Sequence, residues 1–316
     1  MICLMSKSTI AVLLLALAPL ALAAESNFKT YKAQQGLTFV NAEEESFRLG
    51  VYTANVRKIE ANNGNPKSTH LEGVNQFTHM TKAEFKLKIL GTKASVVQVA
   101  AVTPSVGWNI ANSTDWTKTS GLVTPVKNQG GCGSGYAFSA VGALEGLNFQ
   151  TSKTVLIFSE QQLVDCSGGN YGNNGCDGGY VVRAFNYVNA KGITDSLVYP
   201  NRATQGVCKI NGGSFKISSY SVVAQDCGAV AVAVQLRPIS VDVDALNWAF
   251  YKNGTFNNCG TSWREHSVLL VGVTNTTWKI KNSWGKGWGM DGFMLLDATN
   301  GNNTCGICTI ASYPIK

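Results

Sequence analysis

Helical segments come first along this chain and strands later, an order that predicts an α+β protein. Residues 25 to about 93 are polar, free of cysteine and helical in pattern. Residues 110 to 316 are rich in Gly, Asn, Trp and Cys and open with two helical segments. From about 214 the texture becomes β, as where Pro238-Ile239-Ser240-Val241-Asp242-Val243 alternates apolar and polar. Between the two parts, Ala94 to Val106 carries no charge and no helical period and reads as an extended linker that a protease can cut near its end.

Within the first part, Glu44, Arg48, Tyr52, Asn55, Ile59 and Asn63 recur at helical spacing and stack on one face, where Glu44 and Arg48 can pair across a turn. Thr81 with Glu84 is a capping box for a short second helix. In the second part, Gly130-Gly131-Cys132-Gly133-Ser134-Gly135 leads into a helix with a buried stripe of Ala137, Val141, Leu144 and Leu147. No Lys-Ser/Thr follows the glycines and no strand precedes them, so phosphate binding is disfavoured. Ser159 with Gln162 caps another helix, which ends at Cys166. The loop from Ser167 to Gly179 holds six glycines and reads as a disulfide-tied loop. Ser267–Val273 and Thr277–Asn282 read as adjacent strands.

With 316 residues, 45% hydrophobic and 14% charged, the chain has an ordinary globular balance and length for one large domain or two. Its net charge of +7 is thinly spread, with no basic run of the kind that holds nucleic acid. Three histidines, His70, His79 and His266, are too few for a histidine-rich metal enzyme, and neither metal nor other cofactor is expected.

Lys7, the apolar stretch Ile10 to Leu22 and the small-x-small Ala21-Leu22-Ala23 read as a secretory signal peptide over 1–23, without a stable membrane span. Export to a lysosome, a vacuole or the extracellular space permits disulfides. It also makes Asn112, Asn253, Asn275 and Asn302 candidates for N-glycosylation. Eight cysteines remain after the leader: Cys132, Cys166, Cys176, Cys208, Cys227, Cys259, Cys305 and Cys308. Spacing alone leaves their pairing open. Cys305-Gly306-Ile307-Cys308 lacks the second pair or histidine that zinc would need and reads as two structural half-cystines.

Several ordered motifs then carry a resemblance. Glu44 to Asn63 matches an ERFNIN helix with Tyr52 in the Phe place. Gly73, Asn75 and Phe77 match G-x-N-x-F-x-D, with His79 in the Asp place. Gln129 with Cys132-Gly133-Ser134, His266 to Gly272, Lys281-Asn282-Ser283-Trp284-Gly285 with Trp288-Gly289, and Cys305 to Pro314 complete the set. From 25 to 316 the chain resembles a papain-like cysteine protease precursor of the cathepsin L type.

The resemblance implies a propeptide over 24–109 and a peptidase domain over 110–316, the latter with a helical half, a β-barrel-like half and a cleft between them. It is expected to be a monomer. Cleavage is expected near Trp108 to Ser113. The implied partners are the chain's own propeptide, protein or peptide substrates, and cystatin-like inhibitors. The implied machinery is Gln129 for the oxyanion, His266 as base and acid, Asn282 to orient it, and Trp284 as cover. Gly178, Gly179 and Trp288 are implied substrate contacts. Val181, Asp242, Arg264, Ser267 and Ile310 are the implied walls of the main specificity pocket. The implied disulfides are Cys132–Cys176, Cys166–Cys208 and Cys259–Cys305. Cys227 and Cys308 then form a fourth bridge or stay as buried thiols. Residues three apart on a strand point to opposite faces, so Cys305 and Cys308 are not expected to join.

The family's nucleophile position is Gly135 here, and Tyr136 stands in the place of a Trp. Glycine offers no thiolate, so the chain as written is not expected to hydrolyse peptides by the family mechanism. Either a parental cysteine was replaced to stop self-processing, or this is a natural pseudoprotease that holds peptides or inhibits proteases. With His79 for Asp, an acid trigger is expected to move towards neutral pH, because histidine gains charge below about pH 6.5 whereas Asp loses it near about 3.9.

Overall fold

In the computed structural model, residues 24–91, 108, 110, 113–260 and 265–316 are described. The signal-peptide reading, the linker, half of the expected cleavage region, Asn112 and Arg264 therefore lie outside the described residues.

The front part is a helical unit. Helix α1 (24–34) packs on α2 (Ala42–Asn63) through Phe28, Tyr31 and Tyr52. Asn41 caps α2 by accepting the N–H of Glu44. On the face read from the sequence, Tyr52, Asn55 and Ile59 are buried. Arg48 lies 3.5 Å from Glu44 but binds Glu84 more closely, through two bonds of 2.7 and 2.8 Å. That bidentate pair ties α2 to α3 (Lys82–Phe85), whose Thr81–Glu84 capping box is complete. The Arg48 bond holds the Glu84 carboxyl down at about 2. Strand β1 (His70–Glu72) joins this unit to the rest of the protein.

The helical half of the main body comprises α4 (Gly135–Ser152), α5 (Glu160–Cys166) and α6 (Val181–Lys191). The expected stripe on α4 is an underestimate, because every residue from Gly135 to Asn148 is buried. The reason is placement: α4 lies between α5 and α6 on one side and the sheet on the other. Ser139 Oγ donates to the Val268 carbonyl at 2.7 Å, and a Cβ at Gly142 would sit 2.9 Å from Leu269. Ser159 caps α5 through the Gln162 N–H, but the Gln162 side chain turns away to Tyr187 and Gly212, so only half of that capping box forms.

The sheet uses β2 (Thr114–Asp115), β3 (Ser219–Val222), β4 (Ile239–Val243), β5 (Tyr251–Phe256), β6 (His266–Val273), β7 (Thr277–Lys281), β8 (Phe293–Asp297) and β9 (Ala311–Ile315). Its order is β1-β5-β8-β7-β6-β4-β9-β3, with β2 on β6; β5 and β8 are parallel and the other pairs antiparallel. β1 from the front part thus extends the sheet of the main body. The region from about 214, read as β in texture, also contains a helix, α7 (Cys227–Leu236), capped by Asp226. In antiparallel register, β6 and β7 pair Leu269 with Lys281, which brings His266 and Asn282 to the same sheet end.

Four disulfides join Cys132 to Cys176, Cys166 to Cys208, Cys227 to Cys308 and Cys259 to Cys305. The strand argument for keeping Cys305 and Cys308 apart does not hold: Cys305 sits in a short 3₁₀ turn, Thr304–Gly306, at φ 54°. The turn directs the two sulfurs to different partners.

Candidate active site

Gly135 opens α4 at the boundary between the helical half and the sheet. His266 opens β6 opposite it, and Asn282 follows β7. His266 Nε2 lies 2.8 Å from Asn282 Oδ1. That oxygen also accepts the Ser283 N–H at 2.8 Å, so it is an acceptor and Nε2 carries the proton. Nδ1 of the neutral ring is then left with a lone pair. It is buried without a hydrogen-bond partner and faces Gly135. The ring stacks on Trp284 at 4.9 Å. Burial pushes the His266 pKa down to about 4, against the upward pull of the Asn282 bond.

The space in front of Gly135 is small. A Cβ built there would lie 2.5 Å from His266 Nδ1, 2.6 Å from Cε1 and 3.2 Å from the Ser267 carbonyl. Real carbon contacts are not that short, so the ring stands where a side chain at 135 would begin.

Gln129 is fully buried beside this site. Its Nε2 donates to the Cys132 carbonyl at 2.9 Å and to the Ile89 carbonyl of the front part at 2.7 Å, while its Oε1 accepts from Ser283. The segment that reaches it is a π-helical turn, Lys86–Leu90, ending at Gly91. Gly91 takes φ 91° and runs between Gly133 and Gly178: a Cβ at Gly133 would be 2.7 Å from the Gly91 Cα, and a Cβ at Gly91 would be 3.3 Å from the Gly178 Cα. Glycine is required at such a close backbone approach. Lys86 pairs with Glu265, next to His266, at 2.7 Å. Phe77 and Phe85 stand edge-on to Trp284 at 5.4 and 5.3 Å, and Gln76 donates to the Trp284 carbonyl at 2.7 Å. The front part therefore fills the cleft at the site itself.

The structure brings Gly135, His266, Asn282, Gln129 and Trp284 together. Trp288 is buried behind them, its indole N–H on the Trp248 carbonyl, so it is not open to the cleft. Asp242 lies opposite Ser267 in register and accepts its hydroxyl at 2.6 Å, and the Asp242 N–H bonds the Ile310 carbonyl at 3.0 Å. Those three adjoin one another. Asp242 is 6% exposed and so does not lie on an open solvent face. Val181 starts α6 in the other half. Gly178 and Gly179 flank the passing segment, and a Cβ at Gly179 would meet Asn173 at 2.5 Å. Asn253, Asn275 and Asn302 are exposed, although the Asn275 amide already holds the Ile110 backbone.

Sequence reasoning missed a buried ion cluster behind the site. Lys127 pairs with Glu145 at 2.6 Å and with Glu160, and Lys281 donates to Thr124 at 3.0 Å. Burial disfavours the Lys127 ammonium, but Glu160 and Glu145 outweigh it and its pKa is raised. Burial pushes Lys281 down to about 8. The cluster ties the segments bearing Gln129, Gly135 and Asn282 to one another. Its signal was available in part: a single charge stands inside an otherwise apolar stretch at Glu145.

Comparison with known proteins gives this arrangement its family. Residues 110–315 match the papain family cysteine protease model, and residues 28–85 match the cathepsin propeptide inhibitor domain. The chain belongs to the papain family. It is 38% identical to digestive cysteine proteinase 1 of Homarus americanus, over 92% of this chain and 95% of that one. It is also 38% identical to procathepsin L of Rattus norvegicus, over 86% of each. Among solved structures, digestive procathepsin L 3 of Tenebrio molitor superposes with a TM-score of 0.82 at 34% identity, covering 93% of this chain and 99% of that chain. The protein is thus a cathepsin L-like zymogen with the papain-like α+β fold, and its propeptide occupies the cleft.

The propeptide carries a testable pH response. His79 Nδ1 lies 2.8 Å from the Tyr31 hydroxyl, and its carbonyl accepts from Arg48. Burial first, and then the Arg48 charge, lower its pKa below the ordinary value. The expected trigger thus sits on the acid side of an ordinary histidine. A depressed folded pKa means stability that is complete above about pH 6.5 and lost as pH falls through the folded value. His79→Asn is expected to flatten the pH dependence of propeptide unfolding below 6.5. Thermal melts of both chains across that range check it, and parallel curves would rule His79 out.

Proposed function

We propose that this zymogen keeps the peptide-binding cleft and polar frame of a thiol endopeptidase without its nucleophile. In this reading His266 is the base and acid, Asn282 orients it, Gln129 holds the oxyanion, and Trp284 shields the His266–Asn282 contact. Gly135 stands where the thiolate belongs. The observation that carries the reading is the 2.5 Å between a Cβ at Gly135 and His266 Nδ1: the imidazole has closed over the glycine. Without a thiolate, the buried ring has no counter-ion and stays neutral. All eight described cysteines past the propeptide are in disulfides, Cys132 among them, so none can substitute.

The same closure supports a second reading, a natural pseudoprotease that holds peptides in the cleft. The Gln129–Ile89 bond supports it further, because the cleft already accepts a backbone carbonyl at the oxyanion position. The eight paired cysteines favour passage through an oxidising secretory compartment, lysosomal or extracellular. Peptides are the substrate or ligand class, and the division at about 109 marks propeptide from mature chain.

The test is direct. The chain freed of its propeptide is expected to release no fluorophore from dipeptidyl substrates and to take no label from an epoxide thiol inhibitor. Labelled, hydrolysing protein would end the proposal. Retained micromolar affinity for peptides, measured by fluorescence anisotropy, supports the pseudoprotease.

A further inference from the structure

A cavity of about 300 Å³ opens between the propeptide and the sheet half, away from Gly135. Phe77, Met80 and Phe85 of the propeptide form one wall, and Leu246 and Phe250 of the main body form part of the other. The volume lies at the lower end of the range for small-molecule sites. Two exposed lysines from the propeptide, Lys58 and Lys82, stand at the same cavity. Among the described residues, neither ammonium pairs with a carboxylate. Lys58 reaches the Asn55 amide oxygen at 3.5 Å and Lys82 the Asn247 amide oxygen at 2.9 Å. Glu72 is the one acid on the lining, with His70 as its neighbour at 3.7 Å. An aromatic interior with two cations that only neutral amides contact matches one chemistry.

We propose that this cavity binds a small amphipathic carboxylate, its apolar body among Phe77, Phe85 and Phe250 and its anionic head on Lys58 and Lys82. Burial of the apolar body supplies the affinity, and the lysine charges select the acid over an alcohol or an amine. Both walls exist together only while the propeptide is docked. By linkage, such a ligand holds the zymogen closed: at a concentration 100 times its Kd, the released state falls roughly 100-fold. The site is independent of the reading of Gly135, since it requires only the docked propeptide.

Octanoate is the probe, with octanol and octylamine as controls, on the full chain at neutral pH. Calorimetric titration is expected to show one saturable octanoate site, with octanol weaker and octylamine silent. Limited proteolysis of the propeptide is expected to slow in step with occupancy. Lys58→Glu, which removes no contact to the main body, and the double change Lys58→Glu with Lys82→Glu are expected to abolish binding while the fold, checked by circular dichroism, persists. Absence of saturable binding overturns the proposal. So does equal binding of octanoate and octanol that the lysine changes leave intact, because it would show apolar filling without recognition of the acid. Octanoate binding without slower proteolysis would overturn the placement between the two walls.

Discussion

Gly135→Cys, in protein freed of its propeptide, is expected to raise peptide hydrolysis from background by roughly 10⁵–10⁶-fold, the scale lost when a nucleophile is removed from an intact catalytic set. The new side chain would start at the first residue of α4, where the helix dipole and a neighbouring imidazolium both lower a thiol pKa. One adjustment is needed. The His266 ring must withdraw by about 1 Å to reach ordinary contact with the Cβ. It can do so only if Asn282 and Trp284, bonded to and stacked on that ring, move with it. Once a thiolate is present, its charge opposes the burial that now holds His266 near 4. Tyr136, buried with its hydroxyl on the Gly175 carbonyl, lies behind the helix start. Hydrolysis of a dipeptidyl fluorogenic substrate is the assay, with Gly135→Cys/His266→Ala as the control. If folded Gly135→Cys protein neither turns over substrate nor takes an epoxide label, the frame has set in its closed form, and the pseudoprotease reading stands alone.

Phe85→Ala is expected to loosen the propeptide by about 3–5 kcal/mol. That corresponds to a roughly 10²–10⁴-fold larger released fraction. Phe85 is 2% exposed and lies against both Phe77 and Trp284, so truncation removes the aromatic packing there and enlarges the adjoining cavity. The Arg48–Glu84 pair and the capping box keep α3 itself folded, which separates loosened docking from an unfolded propeptide. The rate at which an added protease removes the propeptide at neutral pH reads the effect. An unchanged rate would mean that docking rests on β1 and Gly91 and not on the aromatic seat.

Much of this architecture was legible in residue order. The α2 face, the Thr81 capping box and the paired strands around residues 267–282 came from spacing alone, because caps and periodicity are local properties. Helix α7 was missed, although Cys227, Val230, Ala231 and Val234 recur at helical spacing behind an Asp226 cap. The burial of α4 on all sides was not visible either, since it depends on α5, α6 and β6 closing around a helix made of small residues.

At the site, the sequence determined which groups are present: a glycine at 135, one histidine past residue 79, an asparagine sixteen residues after it, and a glutamine before the glycine-rich turn. Those identities limit what position 135 can offer, because no fold can give glycine a thiol. The tertiary structure decided where those groups stand. The antiparallel register of β6 and β7 carries His266 to Asn282, and the packing of α4 on the sheet brings Gly135 under the ring. The passage of Gly91 between Gly133 and Gly178 sets Ile89 on Gln129. Each of these is a contact between segments distant along the chain. Its geometry depends on how whole elements pack, and spacing within any one segment does not contain that information.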